Sequence, residues 1–185
     1  MLMGIVYNTT MSPTKVELVT QWLKEQDFYA GQGAPELENI GGFRLEDPRG
    51  EVGIELLIFA DHSDTSDVVY HVPLTYRDAP LEGAETYLLG TSDHAILGER
   101  FIYDAAGDPV FAAQARELLA GKVGAQHRYE SFTEDPRIKL CADTTGKDAV
   151  IIRRPVASKP AQAGVLGIWE NALGQELSGL VLRTA

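Results

Sequence analysis

Residues 91–111, TSDHAILGERFIYDAAGDPVF, hold side chains that could do acid–base chemistry. His94 could act as a general base with Asp93 orienting it, and Arg100 could hold an anion. The same stretch also reads as a strand, a turn at Gly98, a second strand ERFIYD and a capped helix. Under that reading Asp104 is a loop residue, Asp108 is an N-cap, and Phe101 and Tyr103 pack a core. Every residue then has a structural role, so no catalytic residue is assigned here. His94 and His71 remain the two centres on which an enzyme reading would have to rest.

Other chemistry-bearing patterns fail on spacing. Residues 61–67, DHSDTSD, place aspartates like the start of a calcium loop, but the central glycine is missing and Val72 stands where the closing glutamate belongs. The histidines at 62, 71, 94 and 127 have no H-x-x-x-H spacing, and one cysteine, Cys141, cannot form a cysteine cluster or an internal disulfide. Gly31-Gln32-Gly33 is not a dinucleotide fingerprint, Gly146-Lys147 is not a P-loop, and no G-x-S-x-G elbow occurs. Residues 127–130, HRYE, lack the aspartate and asparagine of a kinase catalytic loop. Cys141 alternates with apolar residues and has no adjacent histidine to activate it. Neither a metal nor a cofactor is expected.

The elements that position these residues are legible in part. Residues 12–26, SPTKVELVTQWLKEQ, predict a helix with Ser12 as N-cap, Pro13 at the first position, and Thr14 and Glu17 at capping-box spacing. Residues 51–61 and 68–77 alternate with period two and predict an antiparallel hairpin across HSDTSD. Ile54, Leu56, Val72 and Leu74 are expected inside, and the face carrying His71 is expected to tolerate substitution. Pro73 suggests an edge or a bulge. Residues 41–48 and 85–90 read as further strands. Residues 108–122 predict a second helix opened by Asp108 and Pro109. RIKLCAD, AVIIRRPV and ELSGLVLR read as strands, with TTGKD turning between the first two, and residues 158–164 as a linker. The fold class is α+β.

The net charge of −11 is uneven. Residues 1–93 carry 5 basic and 16 acidic side chains, whereas residues 94–185 carry 11 of each. An acidic surface repels phosphate backbones, so nucleic acid is not expected as a partner. No apolar run suits a membrane span and the start has no secretory pattern, so a cytoplasmic location is expected.

Taken in order, VELVTQWLKEQDFYAGQG, VYHVPLTYR and LGERFIYDAAGDPVFAAQARELL resemble the N-terminal cap domain of maltokinases, bacterial kinases that phosphorylate maltose on the trehalose-to-glucan route. The resemblance spans residues 12–122. It rests on an aromatic-Ala-Gly turn (Phe28, Tyr29, Ala30, Gly31) and a YDA-x-x-DP element (Tyr103, Asp104, Ala105, Asp108, Pro109). The chain looks most like small stand-alone actinobacterial proteins with a cap-like domain, sometimes labelled glucan-branching proteins. The resemblance implies a cystatin-like curved antiparallel sheet with packed helices over residues 1–125, and residues 126–185 would be a small β-rich extension packed on it. It departs from a full kinase: two lobes are expected to be missing, and AVIIRRPV offers Arg153 and Arg154 where a nucleotide-lobe lysine would stand.

Three functions follow as expectations. The first is a non-catalytic accessory or regulatory module of α-glucan, trehalose or maltose metabolism, whose partner is an enzyme of that metabolism. The second is a sugar or sugar-phosphate binder, its pocket lined by Trp22, Phe28, Tyr29 and Tyr103 with Arg100 as anion clamp. The third is an enzyme centred on His71 or His94. A homodimer is compatible with each.

Overall fold

The computed structural model describes residues 6–7, 9–63, 68–141, 148–157 and 163–185. In chain order the elements are β1 (Met11–Ser12), α1 (Lys15–Leu23), β2 (Leu37–Leu45), β3 (Gly53–Asp61), β4 (Val69–Arg77), β5 (Leu88–His94), β6 (Gly98–Asp104), α2 (Pro109–Leu119), β7 (Lys139–Cys141), β8 (Ala149–Ile151), β9 (Gly164–Glu170) and β10 (Glu176–Thr184). The architecture is α+β, a mostly antiparallel sheet with two α-helices. No helix among the described residues is long and apolar enough to cross a membrane.

Local chemistry sets the helix ends. Thr14 caps α1: its hydroxyl accepts from the Glu17 N–H at 3.2 Å, and the Glu17 carboxylate accepts from the Thr14 N–H at 2.7 Å. The expected Ser12 cap is therefore corrected by two residues, because Ser12 pairs with Asp93 in the sheet instead. Asp108 caps α2 and Pro109 opens it, as the sequence predicts.

The strands run in the order β1-β5-β6-β4-β3-β2-β9-β10-β8, with β7 also on β9. The β3–β4 hairpin pairs in register from Gly53↔Tyr76 to Ala60↔Val69. Ile54, Leu56, Val72 and Leu74 are all buried. Pro73 sits beside the point where β6 stops, since β6 pairs only with Leu74–Arg77, so its missing N–H interrupts no long ladder on that side.

Both faces of this hairpin are covered, which the alternation could not reveal. On one face Leu57, Phe59, Tyr70, Val72, Leu74 and Ile102 pack under Leu18, Val19 and Leu23 of α1. On the other, Ile54, Leu56 and Ile58 pack with Phe111, Leu118 and Leu119 of α2 and with Val165, Val181 and Leu182 of β9 and β10. His71 lies opposite Ile58 on this second face and is fully buried. The expectation of a tolerant face is corrected.

Three further expectations change. Glu85–Tyr87 form a 3-10 turn before β5, not the start of a strand. β7 and β8 do not pair with each other: β7 pairs with β9 and β8 with β10. The expected 158–164 linker ends early, since Gly164 opens β9; its residues 158–162, residues 144–147 of the expected TTGKD turn and part of the HSDTSD loop lie outside the described residues. β9 carries no expectation from the sequence. Its two glycines serve close packing: a Cβ at Gly167 would meet Val181, and one at Gly164 would collide with the Leu182 carbonyl.

Candidate functional site

The opening stretch resolves into a hairpin and a helix start. His94 closes the β5–β6 turn, where its Nδ1 accepts from the N–H groups of Ile96 (3.3 Å) and Leu97 (3.0 Å). Its ring stacks edge-on with Tyr7. Burial, then the nearby Arg100 and Lys15 charges, hold its pKa below the ordinary histidine value. Both accepted bonds need Nδ1 unprotonated, so the imidazole acts as a turn acceptor. Asp93 pairs across the hairpin with Glu99 and Ser12.

The YDA-x-x-DP element is held by internal partners. Tyr103 is buried and its hydroxyl accepts from the Leu81 N–H at 2.8 Å. Ala105 is fully buried. Asp104 accepts from the Ala106 N–H and from the Arg153 guanidinium at 2.6 Å. Asp108 accepts from the Val110 N–H and takes both nitrogens of Arg77 in a bidentate pair at 2.7 and 2.8 Å. Burial pushes the Asp108 carboxyl up, but hydrogen bonds led by that from Arg77 outweigh it and leave the pKa below the aspartate range.

Of the five expected pocket residues, the structure brings three together. Trp22 and Phe28 lie with ring centroids 5.8 Å apart, and Tyr29 stacks on Tyr70 at 5.7 Å in the same apolar cluster. The Tyr29 hydroxyl donates to the Gly33 carbonyl and to Asp61. Tyr103 points to the opposite face of the sheet from Ile102, which belongs to that cluster. Arg100 stands near the β5–β6 turn opposite Ser92, with its guanidinium on the Glu99 carbonyl. The cation beside the aromatic pair is Arg153, centred 5.0 Å from the Phe28 ring and 5.9 Å from the Trp22 ring.

Sequence reasoning missed this role because Arg153 is 49 residues from Asp104 and no local pattern links them. Arg153 lies beside the part of β4 that β6 leaves unpaired, where its carbonyl accepts the His71 N–H at 2.8 Å. The His71 ring donates from Nδ1 to the Ile152 carbonyl at 3.1 Å. Burial, then the Arg153 charge, lowers the His71 pKa to about 3, against smaller opposing effects of the Ile152 and Val181 carbonyls. His71 is therefore a neutral core histidine across the range where a base would work.

A large concavity lies elsewhere. A groove of about 1450 Å³ opens where β2 and β9 diverge, walled by residues 127–129, 154–157 and the β9–β10 turn at 171–174. A smaller apolar pocket of about 360 Å³ lies between residues 9–16 and the sheet, with Lys15 and Arg128 at its rim. Neither includes any of the five expected pocket residues. Among the described residues, no three His, Cys, Asp or Glu side chains assemble as a metal-ligand set.

No curated protein matches the chain. Residues 22–108 match the family model described as the maltokinase N-terminal cap domain. The match runs from Trp22 through β2 to β6 and closes on Asp108, so it is narrower than the 12–122 resemblance and includes the aromatic-Ala-Gly turn and all of YDA-x-x-DP except Pro109. Over residues 22–108, a little under half of its length, the chain is similar to the maltokinase N-terminal cap domain.

Proposed function

We propose that the protein is a non-catalytic accessory or regulatory module serving α-glucan, trehalose or maltose metabolism, working in the cytoplasm with an enzyme of that route. The match of residues 22–108 to the maltokinase cap domain supports a role in maltose chemistry. The observation that carries the non-catalytic reading is the saturation of the cap motif: Tyr103, Asp104 and Asp108 are each bonded inward to Leu81, Arg153 and Arg77. A carboxylate held by a guanidinium and a main-chain N–H is a poor general base, because those bonds stabilise its anion. In this reading residues 1–125 form a cystatin-like cap and residues 126–185 a β-rich extension. The apolar cluster shared by Ile54, Phe111, Val165 and Val181 supports their close packing.

The test is maltose-dependent ADP release by the purified protein, alone and added to a maltokinase. The module reading expects no turnover by the protein alone, and a change in the kinase's KM or rate that saturates with added protein. Turnover by the protein alone that disappears in His71→Gln or His94→Ala, with the fold intact, would replace this reading by an enzymatic one.

A further inference from the structure

We propose that the groove between β2 and β9 is a strand-addition site that captures an extended polypeptide segment of a partner protein, paired along the outer edge of β2. β2 meets β9 only at Gly41↔Trp169, and its next contact on that side is the Arg44–Gln126 bridge. From Leu37 to Ile40 the outer edge has no partner strand among the described residues. The hydrogen bond from the His62 N–H to the Glu36 carbonyl fixes the alternation of the β2–β3 ladder. In an antiparallel pair the next outward-facing residues are then Leu37 and Asn39, whose N–H and C=O point toward the groove.

The irregularity between Asn39 and Gly41 holds this edge open. The Asn39 amide donates to the Gly41 and Ile58 carbonyls at 3.3 and 3.2 Å and locks the bulge, after which the strands part. Main-chain N–H and C=O groups that point outward from a strand edge select a ligand with its own main chain in extended form. The groove is also larger than the roughly 300–1000 Å³ typical of pockets that enclose small ligands.

The walls say what side chains the segment carries. Leu173 at the β9–β10 turn is 81% exposed and Tyr129 is 70% exposed, which favours apolar residues at alternate positions. Arg154 is exposed in the wall and has no acidic partner among the described residues, whereas the Arg128 guanidinium lies over the Tyr129 ring at 4.8 Å and its charge also acts on Glu55. Although Glu38 and Glu170 also line the groove, the unpaired Arg154 favours one carboxylate placed against it among those apolar residues. The edge strand lies within residues 22–108 and the facing walls outside them, and the inference does not depend on the metabolic role proposed above.

The experiment selects binders for the full-length protein from a phage-displayed library of random twelve-residue peptides, then titrates the synthetic peptides while amide exchange is followed by NMR. The site predicts selected peptides with alternating apolar residues and an acid, slowed exchange at the Leu37 and Asn39 amides, and at least tenfold weaker binding to Arg154→Glu and Leu37→Pro. Arg154→Glu lies on the surface and keeps the test decisive if Leu37→Pro fails to fold. Peptides that bind without slowing those two amides, or no enrichment over an unrelated target, would overturn the proposal. Concentration-dependent protection of the same amides without peptide would also overturn it, by assigning the edge to a second copy of the chain.

Discussion

Asp108 does more at the residue scale than its sequence position suggests. As an N-cap alone it would contribute about 1 kcal/mol. It also forms a bidentate pair with Arg77, and its carboxylate is wholly shielded from solvent. Removing one partner of such a pair strands the other charge, so Asp108→Ala is expected to cost about 3 kcal/mol by urea unfolding. Arg100→Ala is expected to cost no more than about 1 kcal/mol, because the side chain makes a single long bond to a neighbouring carbonyl. Equal losses in the two variants would contradict these roles. His71 gives a pH signature. Its pKa is about 3 when folded and 6.5 ordinarily, so the unfolded chain binds the extra proton between those values. Stability is therefore complete above about pH 6.5 and falls as pH drops through that window, by at most about 1.4 kcal/mol per pH unit. His94, also lowered, adds with the same sign. The depressed carboxylates Asp61, Asp108 and Asp135 lose their contribution only below their ordinary value of 3.8. Unfolding curves from pH 7 to 5 should thus show a steeper slope in the native protein than in His71→Gln, and identical slopes would refute the buried neutral imidazole.

At the scale of elements, the β3–β4 hairpin was readable as two apolar strands around a polar turn, but its register was not, because both faces are buried: Ile54 and Leu56 face α2 and Val72 and Leu74 face α1. The burial of His71 was not readable, since its cover comes from Ile152, Arg153 and the α2 side, more than thirty residues away in sequence. For that reason His71→Ala should destabilise about as much as Val72→Ala and Leu74→Ala, each by roughly 2–4 kcal/mol. A loss under 1 kcal/mol at His71 would mean that its face is open. β9 escaped detection because glycines at 164 and 167 dilute its pattern, and the pairing of β7 and β8 with β9 and β10 is a choice between distant partners that local sequence does not encode. The β2–β9 junction rests on Gly41, where a Cβ would collide with the Ile168 carbonyl oxygen. Gly41→Ala should accelerate amide exchange in β9 and β10 before it affects β3 and β4. Uniform acceleration in all four strands would contradict a local junction.

Across the whole molecule, one sheet joins the family-matched strands to the C-terminal ones, and α2 sits in a cluster shared by both. The aromatic turn and the YDA-x-x-DP element were visible in the sequence as an ordered pattern, whereas their common partner was not. Arg153 ties them together by pairing with Asp104 and lying against Trp22 and Phe28. The acidic residues of the cap motif are structural: Asp108 caps α2 and holds Arg77, and Asp104 ties the chain's last third to its first two thirds through Arg153. The most direct measurement is a double-mutant cycle by urea unfolding with Asp104→Asn, Arg153→Met and the pair combined. A structural role predicts a coupling energy of about 2 kcal/mol, with the double variant less damaged than the sum of the singles. Strict additivity of the two substitutions would contradict it and would return Asp104 to the pool of residues available for chemistry.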